Sequence, residues 1–333
     1  MKKMKALVIG YGSIGKRHIH NLSSFENMRI IVCTKRGSDR FLKNKNCMVH
    51  STLKSCIKEN PDFAIICNET SNHIQTAIKL SEAGIHTFIE KPLSNSVKNL
   101  KEFLEIVDKK KLITHVGAVL RFHPCIKKIK EVLLKKELGK ILSVYVENGS
   151  YLPDWHPTEN YQKSYAARKE LGGGVVLTCI HEIDYLYWFF GKIRKISSHI
   201  EKISDLEISV EDFCESLFIF NSKIIGQVHL DYYQRPKIRT CKIIGTNGTL
   251  ICDLEQNSIK VFNIKTKKWS QKLALREYDK NIMYLDELTY FINCLKKNSK
   301  SFNDVVEGAY VLRVALTIKK SLDLKKGIIT NEK

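Results

Sequence analysis

No uninterrupted apolar stretch in the 333 residues approaches the ~18–20 needed for a membrane-spanning helix, so that class is excluded at the outset. The ten cysteines form no Cys-x-x-Cys pair, and their spacings suit neither a metal site nor a disulfide framework. Cys33, Cys67 and Cys179 lie inside apolar runs, so buried, reduced thiols and a cytoplasmic location are expected. Internal repeats, low-complexity tracts and a long linker are also missing. Met1-Lys2-Lys3 is followed by an apolar run that is short and does not end at a small-residue cleavage site, so no secretory signal is expected. Acidic residues are scarce, 35 against 55 Lys+Arg, a formal charge of +20. The excess lies in separate segments, 127–140, 265–272 and 319–326, with a single aromatic, Trp269, among them. Solvated lysine-rich faces are therefore expected in place of a nucleic-acid footprint. Attraction of an anionic substrate is compatible with the same charge.

What is present begins at the first strand. Ala6-Leu7-Val8-Ile9 runs into Gly10-Tyr11-Gly12-Ser13-Ile14-Gly15, and Ile14, His18, Ile19 and Leu22 then keep a helical period. Glycines at this spacing, leaving a strand and entering a helix, fit a pyrophosphate against the helix N-terminus. Strands at 29–34, 48–50, 62–67, 86–90 and 112–116 alternate with helices at 52–58, 72–83 and 96–110, the last capped by serine. This pattern predicts a doubly wound parallel Rossmann sheet over residues 1–120. Residues 121–333 predict an α+β substrate-binding and oligomerisation domain around a large, mostly antiparallel open sheet. It contains helices at 124–136, 175–190, 281–297 and 304–322, and strands at 141–148, 193–200, 211–221, 223–233 and 237–245. Asn247-Gly248 reads as a hairpin turn. The open sheet invites a homodimer or homotetramer.

The second strand ends Thr34-Lys35-Arg36, without the acid that usually binds the ribose 2′-hydroxyl of NAD. Two cations would attract a 2′-phosphate, which favours NADP over NAD.

Two further segments narrow the function. One is Cys67-Asn68-Glu69-Thr70-Ser71-Asn72-His73, followed by Phe88-Ile89-Glu90-Lys91-Pro92; the other is Gly172-Gly173-Gly174 through His181-Glu182-Ile183-Asp184. With the Gly10–His18 stretch, Arg121-Phe122-His123-Pro124 and Gly245–Leu250, they resemble the glucose–fructose oxidoreductase/inositol dehydrogenase (Gfo/Idh/MocA) family over nearly the whole chain. The resemblance implies hydride transfer between a nicotinamide and a secondary alcohol or ketone of a sugar or cyclitol. It implies Lys91 and His181 as the catalytic pair. The chemistry agrees, because a carbinol loses hydride most readily as its proton leaves to a base, and an ammonium beside the oxygen stabilises developing charge.

The cofactor is expected on Gly10, Gly12, Ser13, Ile14 and Gly15, on Thr34, Lys35 and Arg36, and on Asn68, His73, Glu90 and Lys91. Substrate is expected on Arg121, His156, Tyr161, Arg168 and Asp184, and no metal is expected. Tyr151–Lys169, rich in aromatic and cationic side chains, suits a carbohydrate, including one that bears a phosphate or nucleoside diphosphate. With the His-x-x-Asp helix it resembles relatives linked to surface-glycan biosynthesis, which implies a nucleotide-activated or amino sugar. A cyclitol or free-sugar dehydrogenase and a non-catalytic dinucleotide sensor are the alternatives. Thr178 stands where many relatives carry an aspartate one turn before the histidine, and Asn68-Glu69-Thr70 replaces a usual Thr-Pro-Asn.

Overall fold

The computed structural model describes residues 3–320. The expected helix end at Leu322, the lysines at 325 and 326, and the first two residues lie outside the described residues. The elements in chain order begin β1 (Met4–Ile9), α1 (Ser13–Leu22), β2 (Met28–Cys33), α2 (Arg40–Asn44), β3 (Met48–His50) and α3 (Leu53–Lys58). They continue β4 (Phe63–Ile66), α4 (His73–Glu82), β5 (His86–Ile89), α5 (Leu100–Lys109), β6 (Thr114–Val116), α6 (Pro124–Leu134) and β7 (Ile141–Gly149). Then follow α7 (Val175–Thr178), α8 (His181–Phe190), β8 (Ile193–Glu201), β9 (Phe213–Phe220), β10 (Ile225–Asp231), β11 (Ile238–Gly245), β12 (Gly248–Asp253), β13 (Ser258–Asn263) and β14 (Lys268–Ala274). Two helices, α9 (Asn281–Lys297) and α10 (Val305–Lys320), close the described chain. No helix among the described residues is long and apolar enough to cross a membrane.

These elements form two compact units. The first comprises the residues up to Phe122, Glu170–Gly172 and Asp279–Leu312; the second comprises His123–Lys169, Gly173–Tyr278 and the residues from Arg313 on. In the first, six strands form a parallel sheet in the order β3-β2-β1-β4-β5-β6. Parallel strands bury both faces, which is why Leu7, Val8, Ile31, Val32, Ile65 and Ile66 read as continuous apolar runs. One face is covered by Ile19 and Leu22 of α1, and by Leu288, Phe291 and Ile292 of α9. The Phe291 ring meets Phe63 and Phe88 edge-on, each at 5.7 Å. Residues 279–312 therefore belong to the parallel-sheet unit, whereas a single cut at 120/121 assigns them to the other. A sheet with two apolar faces needs this helical cover, and sequence order does not reveal where it comes from.

Eight strands form the sheet of the second unit, in the order β14-β13-β12-β11-β7-β10-β9-β8. All neighbours are antiparallel except β7 and β10, which pair in parallel from Ser143↔Ile225 to Gly149↔Asp231. The inner face is apolar, as at Val144, Val146, Val228, Leu230, Phe218 and Ile243. The lysines of 265–272 surround the β13–β14 hairpin, and β14, a largely exposed edge strand, is protected by charge from pairing with other chains.

Three expected boundaries move. The helix drawn from Ser96 starts at Leu100, after Asn99 in the left-handed region (φ 58°), and no serine caps it. The helix drawn from Val175 to Phe190 is two helices, broken at Cys179 (φ −93°, ψ 29°). In the β11–β12 hairpin Gly245 pairs with Gly248, so the turn is Thr246-Asn247, one residue earlier than expected.

Candidate active site

The parallel sheet assembles one group of candidates by register alone. Ile9 pairs with Ile66, and Ile66 with Ile89. The residues that follow these strand ends, Gly10, Asn68 and Glu90-Lys91, consequently emerge along one rim. The strand order reverses between β1 and β4, the position at which open α/β sheets bind ligands. Thr34, Lys35 and Arg36 follow β2, whose Cys33 pairs with Ile9.

Gly10 (φ +100°) crosses the end of β4 so closely that a Cβ would lie 2.5 Å from the Cys67 carbonyl oxygen. Gly12 has no atom within 4 Å of the corresponding point. Beyond it, α1 starts without a side-chain cap and without an acid in its first turn. Its first backbone N–H groups are thus available to an anion approaching over Gly12, with Ser13, Ile14 and Gly15 in the opening turn. At the neighbouring strand end, the buried Asn68 Oδ1 has no hydrogen-bond partner, although Nδ2 donates to Thr76 Oγ1 at 3.1 Å. An open approach, an uncapped helix and an orphaned acceptor on one rim fit a dinucleotide.

Lys35 and Arg36 are exposed, and the Arg36 N–H donates to Thr34 Oγ1 at 3.2 Å. Sequence reading missed the nearby carboxylate, Asp39. It caps α2 by accepting from the Leu42 N–H at 3.0 Å, and it accepts the Tyr11 hydroxyl of the glycine turn at 2.8 Å. These bonds, the Leu42 N–H foremost, hold the Asp39 carboxyl below its ordinary range, while burial and then Asp39 raise the Tyr11 phenol. The Asp39-x-x-Leu42 capping pattern was the available signal.

His73, expected to touch the cofactor, is buried. Its Nδ1 and Nε2 face the carbonyls of Pro92 (2.9 Å) and Asn68 (3.0 Å), pinning both rim loops to α4. Burial lowers its pKa, favouring the neutral ring. The Glu90 carboxylate points to His18 Nε2 at 2.7 Å. Arg121 is also buried in this unit, with its guanidinium over the Phe302 ring.

In the second unit the break at Cys179 makes His181 the first residue of α8, with Glu182 and Asp184 in the same turn. A helix N-terminus favours negative charge, and these two acids supply it. His181, Asp184 and Thr178 are all buried, with Thr178 beside Tyr232. Sequence reading missed Glu182 and Arg239. Glu182 is fully buried, and its Oε1 accepts from Arg239 Nε at 2.7 Å while Oε2 accepts from Asn148 Nδ2 at 3.2 Å. The His181 helix is thereby tied to β11 and β7. Arg239→Met should destabilise the protein by about 3–5 kcal/mol in urea unfolding, because it leaves a buried carboxylate unpaired. The double variant with Glu182→Met should recover most of that loss.

The stretch between β7 and α7 consists of short 3-10 turns. Of its candidates, His156 and Arg168 are exposed and Tyr161 is half-buried, its hydroxyl accepting from the Glu207 N–H at 3.3 Å. Trp155 packs edge-on against Tyr232 at 5.5 Å.

A parallel sheet with a dinucleotide rim, followed by an α+β unit bearing a histidine helix, defines a nicotinamide-dependent oxidoreductase architecture. Residues 4–118 match the model of an oxidoreductase family with an NAD-binding Rossmann fold, and residues 126–251 match the GFO/IDH/MocA C-terminal domain. The chain belongs to this family. It is similar to myo-inositol 2-dehydrogenase of Thermotoga maritima, 23% identical over 99% of both chains. Among solved structures it resembles GenD2 from gentamicin A biosynthesis, in complex with NAD (TM-score 0.83, 19% identity, 100% of this chain and 97% of that one). It also resembles UDP-N-acetylglucosamine 3-dehydrogenase GnnA from Acidithiobacillus ferrooxidans (TM-score 0.79, 17% identity, 96% and 97%).

Proposed function

We propose that the chain moves a hydride between a nicotinamide cofactor and a secondary alcohol or ketone of a nucleotide-activated or amino sugar, in the cytoplasm. The single observation that carries this reading is the register that sets Gly10, Asn68 and Lys91 along one rim of the parallel sheet. Bound there, a nicotinamide supplies the hydride acceptor or donor. The protein's own part is acid–base and electrostatic. His181 takes the proton from the carbinol oxygen or returns it, and the Lys91 ammonium stabilises the negative charge that develops on that oxygen. Asp184, on the same turn as His181, and Arg121, His156, Tyr161 and Arg168 are assigned to the substrate. The GnnA likeness and the aromatic, cationic 151–169 stretch favour an activated amino sugar. The end-to-end match to myo-inositol 2-dehydrogenase supports a second reading, a cyclitol dehydrogenase.

Turnover of UDP-N-acetylglucosamine, myo-inositol and glucose, each with NAD and NADP, separates the two. The first reading predicts kcat/KM at least about a hundredfold higher for the nucleotide sugar. A preference for myo-inositol would replace it with the second.

We assign the cofactor as NADP, held at its 2′-phosphate by Lys35 and Arg36, since the nearby Asp39 is committed to Tyr11 and Leu42. Replacing both cations with alanine should raise KM for NADPH about tenfold or more while moving KM for NADH less than about twofold. Equal effects would reject the assignment. The outward face of the eight-stranded sheet exposes Tyr145, Leu217 and Ile225 on its central strands, and we assign it to self-association into a dimer or tetramer.

A further inference from the structure

Tyr11 stands between Gly10 and Gly12, yet its side chain serves the loop after β2. Its ring is 7% exposed, tilted against Phe41 of α2 at 6.3 Å, with the Lys16 ammonium 4.9 Å from its centroid. This packing fixes where the hydroxyl goes: it donates to Asp39, 2.9 Å from Oδ1 and 2.8 Å from Oδ2. Oδ1 also accepts the Leu42 N–H at 3.0 Å. Both Asp39 oxygens are therefore engaged, although the residue itself is exposed. Asp39 lies three residues beyond Arg36, past Gly37 at φ +71°, and the Arg36 charge acts on the Tyr11 phenol. The contact thus sits within electrostatic reach of a cation assigned to the 2′-phosphate. A phenylalanine ring would pack equally well here, so what the hydroxyl adds is its bond to Asp39.

We propose that Tyr11 is a positioning residue for cofactor choice: its hydroxyl holds the Asp39 carboxylate against α2, so that Asp39 neither claims a ribose 2′-hydroxyl nor opposes a 2′-phosphate on Lys35 and Arg36. In dinucleotide folds a carboxylate soon after the second strand selects the free 2′-hydroxyl. The same charge repels a phosphate at that position. Here the chain keeps such a carboxylate but turns both of its acceptor oxygens away from the ribose. The arrangement has charge support of its own, since the Lys16 ammonium of α1 attracts Asp39. Released from the phenol, Oδ2 becomes an acceptor for a 2′-hydroxyl and an obstacle to a 2′-phosphate. One hydrogen bond from the glycine turn therefore sets how the β2 loop reads the ribose.

The inference rests on the NADP assignment above, but its test reads affinity and does not depend on turnover. Calorimetric titration of the wild-type and variant proteins with NADPH and with NADH gives the ratio of the two affinities. Tyr11→Phe should lower the preference for NADPH about tenfold, the worth of one hydrogen bond to a charged group, with a urea midpoint near that of wild type. Asp39→Asn, whose side chain can still cap α2, should keep the wild-type preference or strengthen it. In that background Tyr11→Phe should move the ratio less than about twofold, because the hydroxyl no longer has a charge to restrain. A ratio unchanged by Tyr11→Phe, or lowered equally with and without the Asp39 carboxylate, overturns the proposal. A wild-type protein that binds NADH more tightly would instead remove the NADP assignment; the role of Tyr11 is then still decided by whether Tyr11→Phe shifts the ratio further toward NADH.

Discussion

Replacing Lys91 with methionine is expected to lower kcat about a thousandfold while the protein remains folded. Lys91 stands just past β5, where the parallel register ends and the chain turns away from the sheet. Methionine keeps the length and the apolar stem but removes the only charge the side chain can place on a reacting oxygen. Loss of one donor to a developing oxyanion costs roughly 10²–10³ in kcat, and loss of acid–base assistance a comparable factor. Unfolding should move little, since a half-buried lysine contributes no apolar core. Lys91→Arg should recover a small part of the activity, because the charge is kept but its position and proton affinity are not. Steady-state rates beside urea midpoints check both halves of the expectation. A methionine variant within about tenfold of wild type would remove Lys91 from the chemistry.

The second large effect is a contrast within the glycine turn. Gly12 has φ −83° and ψ −169°, a backbone any residue adopts, and open space where a side chain would project. Gly12→Val should therefore fold with nearly wild-type stability. It should also lose at least about a hundredfold in dinucleotide affinity, because the branched side chain fills the path of the pyrophosphate. Gly10→Ala should behave in the opposite sense. Its φ of +100° and the Cys67 carbonyl at 2.5 Å from the new Cβ make the residue both strained and overpacked. A loss of roughly 3 kcal/mol or more in stability is expected, with affinity falling only as folding falls. Calorimetric titration with NADH and thermal unfolding of the two variants read out the contrast. Similar behaviour of both would mean that the turn is merely structural.

What the sequence made legible was local. The glycine turn, the βα alternation and the apolar strand runs follow from periods of two and 3.6 residues and from short-range turn chemistry, and they place Gly10, Asn68, Glu90 and Lys91 along one edge. What it concealed depends on partners far along the chain. Glu182 and Arg239 are 57 residues apart, and nothing near either one announces the other. A glutamate in a helix whose later turns are apolar was the hint that a buried cation was required. His18 and Glu90 are separated by 72 residues, so His18 reads as one more position on the helical face. The return of α9 to the first sheet is concealed for the same reason. Its apolar face does not announce its partner, and Phe63 and Phe88, which meet Phe291, lie about 200 residues away in sequence. The break at Cys179 was invisible because Val175–Thr178 and His181–Phe190 each keep an acceptable helical pattern. It is nevertheless the break that places His181 at a helix start. Strands β13 and β14 were obscured by their lysines, which read as surface; those of β14 in fact guard an edge.

The most direct test of the account is a rapid-mixing measurement. NADP-loaded protein is mixed with UDP-N-acetylglucosamine, and separately with myo-inositol, while the absorbance of reduced nicotinamide is followed. The account predicts a burst of reduced cofactor with a sugar or cyclitol, present in wild type and lost in both Lys91→Met and His181→Asn. A wild-type protein that yields no reduced nicotinamide with any sugar or cyclitol, with either NAD or NADP, would contradict it.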